Sequence, residues 1–296
     1  MFHYFVLFCA LVTGKRIKVK KLMADYKFTE LGKETAYTDQ YDVSLLCPIP
    51  RVKARQLDAE ADALPFVGVD LWTAYELSWL NLDGLPQVAI VEFVIPCDSQ
   101  AIVESKSFKL YLNSFIQTAF ASMEAVEQRL ITDLSAVTGT SIEVILYEVA
   151  EYQGIQPISE PEGQCIDRQA VKIDSYHPDS SLLIASTDIS VEETLYSHLL
   201  KTNCPVTDQP DWASLYIFYQ GPKIQQEGLL KYIVSYRQHQ DFHEQCVEQI
   251  FLDIMAHCQP QKLSVYARYM RRGGLDINPF RSTHLERPPL FRQVRQ

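Results

Sequence analysis

Two stretches of the chain carry apolar residues at helical intervals. Val126, Leu130, Ile131 and Leu134 recur along one face, the spacing that buries one side of a helix. Ser122 stands where an N-cap belongs, Glu124 and Glu127 suit the positive end, and Gly139 follows the last turn. Val247, Ile250, Phe251, Ile254 and Met255 repeat that stripe further on. Elsewhere the pattern is alternating or continuously apolar. Gln87 to Ile95, Phe108 to Phe115, Ile142 to Tyr147, Leu215 to Tyr219, Tyr232 to Tyr236 and Leu263 to Tyr269 read as strands. Many strands with few helices predict an α+β architecture, antiparallel sheets with helices packed on one face.

The pattern repeats at a shift of 121 residues. Ser114-Phe115-x-Gln117 returns as Ser235-Tyr236-x-Gln238, Val126-Glu127-Gln128 as Val247-Glu248-Gln249, and Val144 as Val265. The same shift aligns the predicted elements, which points to two related modules. Such a duplication creates a cleft between modules or simply enlarges the core, and the two are compatible. Gly154, Pro157, Pro161 and Gly163 cluster with Glu160 and Glu162, the composition of a linker. The expected organisation is a first module over 23–152, a linker over 153–168 and a second module over 169–296.

Residues 1–22 fit neither module. An apolar run from Phe2 to Val12 precedes Lys15, Arg16, Lys18, Lys20 and Lys21. A secretory signal has its charges before the apolar run, and this run is short for a bilayer span. A membrane anchor and a targeting segment are the rival readings; the favoured one is a mis-assigned start, with Met23 as first residue.

Composition narrows the function classes. Of 296 residues, 47% are hydrophobic and 22% charged, as in a folded soluble chain. The formal net charge is −10, and −15 without the N-terminal segment, which disfavours direct nucleic-acid binding. The seven cysteines are odd in number, widely spaced and without a C-x-x-C pair, so neither disulfides nor a zinc site is expected and a cytoplasmic setting is the simpler one.

Four segments could carry chemistry. Thr202-Asn203-Cys204-Pro205-Val206-Thr207-Asp208-Gln209-Pro210-Asp211-Trp212 places a thiol on a Pro-rich loop, where a nucleophile has access. Asp211 could return across the turn as a proton donor or acceptor, and Asp208 is its rival. Val103-Glu104-Ser105-Lys106-Ser107-Phe108-Lys109 is either a solvated strand edge or a ligand wall, a carboxylate for an N–H face and a lysine for a phosphate. Asp241-Phe242-His243-Glu244 opens the second predicted helix, where a carboxylate is ordinarily a dipole contact. Arg271-Arg272-Gly273-Gly274 begins a tail with six arginines in 26 residues. It reads as a solvated basic tail or as a backbone that approaches a phosphate. There is no G-x-G-x-x-G opening a helix, so a nicotinamide cofactor would not sit on a Rossmann unit. No metal is expected.

Together these segments resemble one family, the NADPH-dependent 7-cyano-7-deazaguanine reductases, nitrile reductases of queuosine biosynthesis, in their long two-module form. The likeness rests on Glu104-Ser-Lys-Ser-Phe-Lys-Leu-Tyr111, Asn203-Cys204 to Gln209-Pro-Asp-Trp212, Phe242-His-Glu244 and Arg271-Arg-Gly-Gly-Leu-Asp-Ile-Asn-Pro279, and runs from about Asp25 to the C-terminus. It implies two tandem tunnelling-fold modules, a homodimer, a small-molecule substrate, NADPH as co-substrate, and neither metal nor membrane. It implies Cys204 as the nucleophile that forms a covalent thioimidate and Asp211 as proton donor. Val103, Glu104, Ser105, His243 and Glu244 match substrate-binding positions; Ser105, Lys106, Arg272 and Gly273 match NADPH-binding positions. Asp211 can donate only if its surroundings keep it partly protonated, as burial does. Asp208 departs from the family's usual small residue or His, and a carboxylate there bears on rate rather than identity. A cofactor-free thiol hydrolase, a purine- or pterin-binding module and a metal-dependent cyclohydrolase are the competing readings.

Overall fold

The computed structural model describes residues 37–53, 55, 63–160, 162–205 and 207–296. Residues 1–22 and the expected start at Met23 lie outside the described residues. The first half runs β1 (Pro48–Pro50), β2 (Val67–Leu80), β3 (Pro86–Pro96), β4 (Ala101–Val103), α1 (Ser105–Asn113), α2 (Met123–Thr138), β5 (Glu143–Tyr147) and α3 (Val149–Ile155). The second runs β6 (Gln164–Cys165), β7 (Ala185–Asn203), β8 (Pro210–Ile224), α4 (Gln226–Ser235), α5 (His243–Cys258), β9 (Lys262–Tyr269) and β10 (Leu275–Ser282). β1 pairs with β4, and the other strands form one eight-stranded sheet ordered β5-β3-β2-β10-β9-β8-β7-β6. Its ladders are antiparallel except the two-residue β6–β7 pair.

The α+β expectation of two related modules holds, and the repeat unit is strand-strand-helix-helix-strand. A shift of 121 residues carries α1 onto α4, α2 onto α5 and β5 onto β9. Even the turn after the first helix is copied: Ser114 Oγ donates to the Tyr111 carbonyl and Ser235 Oγ to the Tyr232 carbonyl, both at 2.6 Å. The halves join where β10, which has no counterpart among the described residues of the first half, lies along β2 with Leu275 opposite Ala74 and Ser282 opposite Val67. The segment expected as a linker is partly structured: its first residues complete α3, and Gln164–Cys165 pair with β7.

Four of the helices cover one sheet face. Leu215, Ile217 and Tyr219 of β8 pack with α4 and α5, and Trp72, Ala74, Val91 and Phe93 pack with α1 and α2. Alternate residues point the other way, where Tyr216 and Tyr266 meet Phe280 and Phe291.

Two predicted strands are helices. Phe108–Phe115 belongs largely to α1 and Tyr232–Tyr236 to the end of α4. Their aromatic content suggested β-structure, but Phe108, Tyr111 and Phe115 recur at helical intervals and all are buried. The arginine-rich end is not a solvated tail either. Arg281 is fully buried on β10, Gln296 bonds Arg268 and Asn278, and Phe291 packs on Tyr216.

A buried charge cluster ties the halves together. Asp70 on β2 pairs with Arg51 and with Arg281 on β10, while Glu248 on α5 accepts from Arg281 and Arg55 at 2.8 Å each. Burial would raise both carboxyls, but the arginines outweigh it and hold both below their usual values. Their contribution to stability is therefore complete above the unfolded carboxylate pKa, about 4, and is lost as the pH falls toward the lowered folded values. Replacing Glu248 with Ala leaves buried guanidinium groups uncompensated and is expected to cost about 3–5 kcal/mol in urea unfolding at neutral pH. The gap between wild type and variant narrows in acid.

Candidate active site

The joint between the halves opens a cavity of about 470 Å³, within the range of small-molecule sites. The first half supplies Val103, Ser105 and Lys106 around the start of α1; the second supplies Cys204, Asp211, His243, Glu244 and Arg272. Eight of the ten residues singled out in the sequence therefore line one space. The exceptions are Glu104 and Gly273.

Cys204 follows the end of β7 on the loop to β8. Its N–H donates to the Gln209 carbonyl at 2.9 Å, and its own carbonyl accepts from Asp208 N–H at 3.1 Å. This small closed turn leaves the thiol half-buried at the cavity wall. Backbone bonds from Asn203 to His239 and from Asp241 to Asn203 fasten the loop to the segment preceding α5. The nucleophile candidate and the His243-Glu244 pair thus share a mount.

Asp208 is not part of that space. It is exposed, its carboxylate accepts from Gln240 Nε2 at 2.9 Å, and its backbone is left-handed at φ 57°. The position demands a turn conformation that glycine adopts freely and most residues avoid. Asp211 is the carboxylate that enters the cavity. One oxygen lies 3.3 Å from His243 Nε2 and the other accepts from Arg272 Nη1. The expectation that burial keeps Asp211 partly protonated is corrected here. Burial raises its pKa, but His243 and Arg272 outweigh burial and hold the carboxyl below its usual value.

His243 is the first residue of α5, stacked on Tyr269 with 3.7 Å between ring centroids and 1° between planes. Glu244 beside it is buried, and its Oε1 has no hydrogen-bond partner. Burial, with the Asp70 charge behind it, pushes Glu244 up to about 7 against the pull of His243 and Arg51.

Glu104 stands at one remove from the wall. Its carboxylate is the N-cap of α1, with the N–H groups of Lys106 and Ser107 donating to its two oxygens at 2.7 Å each. It is fully buried, and burial raises its pKa despite those bonds. Gly273 lies in an adjoining recess of about 130 Å³ that shares Lys109 and Leu275 with the main cavity. Its left-handed φ of 61° suits glycine.

Lys109 is the cation the sequence reading passed over, although it belongs to the quoted motif. Taking Phe108 onward as a strand puts Lys106 and Lys109 on opposite faces; the helix puts them one turn apart on the same face. Burial and the neighbouring Arg272 charge hold Lys109 below the usual lysine value. Trp72 and Met270, which also line the cavity, carried no local signal. Among the described residues no group of three His, Cys, Asp or Glu side chains is placed to hold a metal ion, and no helix is long and apolar enough to cross a membrane.

The separation of Asp208 from Asp211 has a direct test. Asp208→Gly relieves the left-handed backbone and is expected to shift stability by no more than about 1 kcal/mol in thermal unfolding, with turnover within about twofold of wild type, under 0.5 kcal/mol on the barrier. A loss of two orders of magnitude in rate would instead place Asp208 in the chemistry.

Comparison with known proteins gives the family. A family model described as "Nitrile reductase, 7-cyano-7-deazaguanine-reductase N-term" matches residues 37–146, and one described as "QueF-like protein" matches residues 210–288. A protein of Paraburkholderia phytofirmans is 57% identical over 268 residues, which cover 90% of this chain and 97% of that one. One of Cupriavidus metallidurans is 58% identical over 257 residues, 86% of this chain and 92% of that one. One of Burkholderia multivorans is 55% identical over 260 residues, 88% and 94%. All three bear the name NADPH-dependent 7-cyano-7-deazaguanine reductase. The chain belongs to the family of NADPH-dependent 7-cyano-7-deazaguanine reductases.

Proposed function

We propose that this protein reduces the nitrile of 7-cyano-7-deazaguanine to the aminomethyl compound through a covalent intermediate on Cys204, the step of queuosine biosynthesis that its family membership implies. The observation that carries this reading is the convergence of a thiol, a carboxylate paired with imidazole and guanidinium, and a buried acid with a free acceptor on one cavity.

A nitrile carbon is a weak electrophile. Attack by the Cys204 sulfur turns C≡N into a thioimidate, with the C–S bond formed and the thiol proton passed to nitrogen, which divides one hard reduction into easier steps. When bound, NADPH supplies the hydrides, two per turnover. Nitrogen must gain a proton with each, and Asp211 with His243 stands where a proton can be held and released. The C–S bond breaks after the first reduction, and the thiolate returns to the loop.

Glu244 meets the donor edge of the deazaguanine. Its Oε1 has no partner in the protein, so a ligand N–H removes a buried unsatisfied acceptor rather than competing for an occupied one. Glu104 serves the same edge from the N-cap of α1, since each of its oxygens keeps an acceptor direction beyond the helix N–H it takes. The cofactor side fits its ligand chemically. Lys106, Lys109 and Arg272 bring three cations to one cavity of an acidic chain, and Gly273 lets backbone come close beside them. These residues would hold the dinucleotide phosphates. Action as a homodimer outside the membrane is part of the same proposal.

The test is intact-mass analysis after mixing with the nitrile and no NADPH. A mass increase of one substrate, absent in Cys204→Ala, is expected; unmodified wild type that nevertheless oxidises NADPH on adding the nitrile would remove the covalent step. Loss of nitrile to an acid or amide without NADPH oxidation would make the protein a hydrolase. Glu244 supplies a second test. With its pKa near 7 and the ionised form as acceptor, nitrile affinity for Cys204→Ala rises up to about tenfold per pH unit below 7 and levels above it. Calorimetric titration checks this, and Glu244→Gln flattens the profile.

A further inference from the structure

Asp211 presents a difficulty that the proposed reaction has to meet. A carboxylate held by a guanidinium and an imidazole is a poor acid, yet nitrogen needs a proton. The geometry of Arg272 offers a way out. One nitrogen of its guanidinium donates to Asp211 Oδ1 and another to Gln209 Oε1. Gln209 is the residue whose carbonyl holds the Cys204 N–H. A single arginine therefore clasps both the acid candidate and the far end of the nucleophile's loop.

The two ends of that clasp are unequal. The Asp211 side chain is 4% exposed and sits on the regular strand β8, whereas Arg272 is 31% exposed at the cavity rim. Arg272 stands on the β9–β10 turn, ahead of Gly273 and Gly274, both with left-handed φ. The arginine is the partner that can leave. The other titratable and charged groups around Asp211 are His243, Glu244 and Cys246 from α5, Asp241 from the segment before it, Cys204 from its loop, Lys109 from α1 and Tyr269 from β9. Of these only His243 makes a close charged contact with it, on the opposite oxygen from Arg272.

We propose that Arg272 is a positioning residue that couples dinucleotide binding to the loading of Asp211 with a proton. In the resting protein His243 and Arg272 together keep Asp211 ionised, and Arg272 keeps the Cys204 loop closed. A phosphate of the dinucleotide offers the guanidinium a doubly charged, bidentate partner in place of a single carboxylate oxygen. As Arg272 turns to it, Asp211 is left with His243 alone against the cost of burial, and the balance moves toward the neutral acid. The proton comes from bulk water and stays on Asp211 until nitrogen takes it. An acid loaded only when the hydride donor is present protects the site from idle protonation of the captured substrate. This inference rests on the reductase reading given above.

The coupling predicts proton uptake on dinucleotide binding with no nitrile present. NADPH is titrated into wild type at pH 6 by calorimetry in two buffers of different ionisation enthalpy. Net uptake of a fraction of a proton per site is expected. In Asp211→Asn that uptake is lost and only the proton release of the phosphates themselves remains, while NADPH binds no more weakly than to wild type, because Asp211 no longer competes for Arg272. In Arg272→Gln, where Asp211 is already released, NADPH binds more weakly and the Asp211-linked uptake is likewise gone. This second variant keeps the test intact if the first does not fold. If NADPH binds wild type and Asp211→Asn with the same uptake, the coupling is overturned and the reductase reading stands. If NADPH does not bind wild type at all, the reductase reading falls and takes the coupling with it.

Discussion

The pairing of Asp70 with two arginines holds the rest of the molecule in place. Three charges buried at one point are tolerable only with close partners, and here the partners come from different parts of the chain. Asp70 is on β2, Arg281 on β10, Arg51 in the turn after β1, and Glu248 reaches Arg281 from α5. Satisfying the cluster fixes the β2–β10 register, and with it the seam between the halves. Backbone contact at that seam is so close that a Cβ on Gly68 would fall 2.2 Å from the Phe280 carbonyl oxygen. The same cluster anchors α5 one turn beyond His243 and Glu244, so the site inherits its geometry from charges outside the cavity.

It inherits its electrostatics as well. Glu244 and Asp211 are both buried carboxylates in the wall of one cavity, and they are driven in opposite directions. Asp70 lies behind Glu244 and adds a like charge to the cost of burial. Asp211 meets His243 and Arg272 directly, and their attraction exceeds the cost of burial. Groups pushed apart in this way can take different tasks, which is why the proposed reaction gives the donor edge to Glu244 and the proton to Asp211. The arginines that stabilise Asp70 are what allow it to stay charged near Glu244, so the seam and the reader of the substrate edge depend on each other.

What the sequence disclosed follows from how local each signal is. The helix α2 carried period, cap and stop in the chain itself and α5 its period, and the turn at Gly139 is left-handed as its position required. The strands β3, β5, β8 and β9 carried apolar runs long enough to be read directly. In α1 and α4 aromatic side chains obscured a helical spacing that burial makes plain. That error had a consequence for the site, since it hid the common face of Lys106 and Lys109. The short-range question of Asp208 against Asp211 could not be answered from spacing, because it turns on a backbone angle and on Gln240 across the turn. Nor does the chain announce that its arginine-rich end is buried, because the acids that receive Arg281 are about 30 and more than 200 residues away.

The duplication explains why two similar halves make one site. At the 121-residue shift Glu104, the cap of α1, corresponds to Gln225, which makes no side-chain cap on α4; Lys106 corresponds to Glu227 and Lys109 to Leu230. In the other direction Cys204 corresponds to Asp83 and Asp211 to Ile90, while His243 and Glu244 correspond to Ser122 and Met123. Each half thus supplies a different side of the cleft: the first brings the two lysines, the second the thiol, its acids and Arg272. A wall that gathers Lys106 and Lys109 beside Arg272 needs carboxylates close by to be stable before any ligand arrives, and Asp211 provides one of them. In the proposed reaction the carboxylate that steadies this wall is the same group that must become an acid. Binding the dinucleotide with an arginine that helps to suppress that acid would meet both requirements with one side chain.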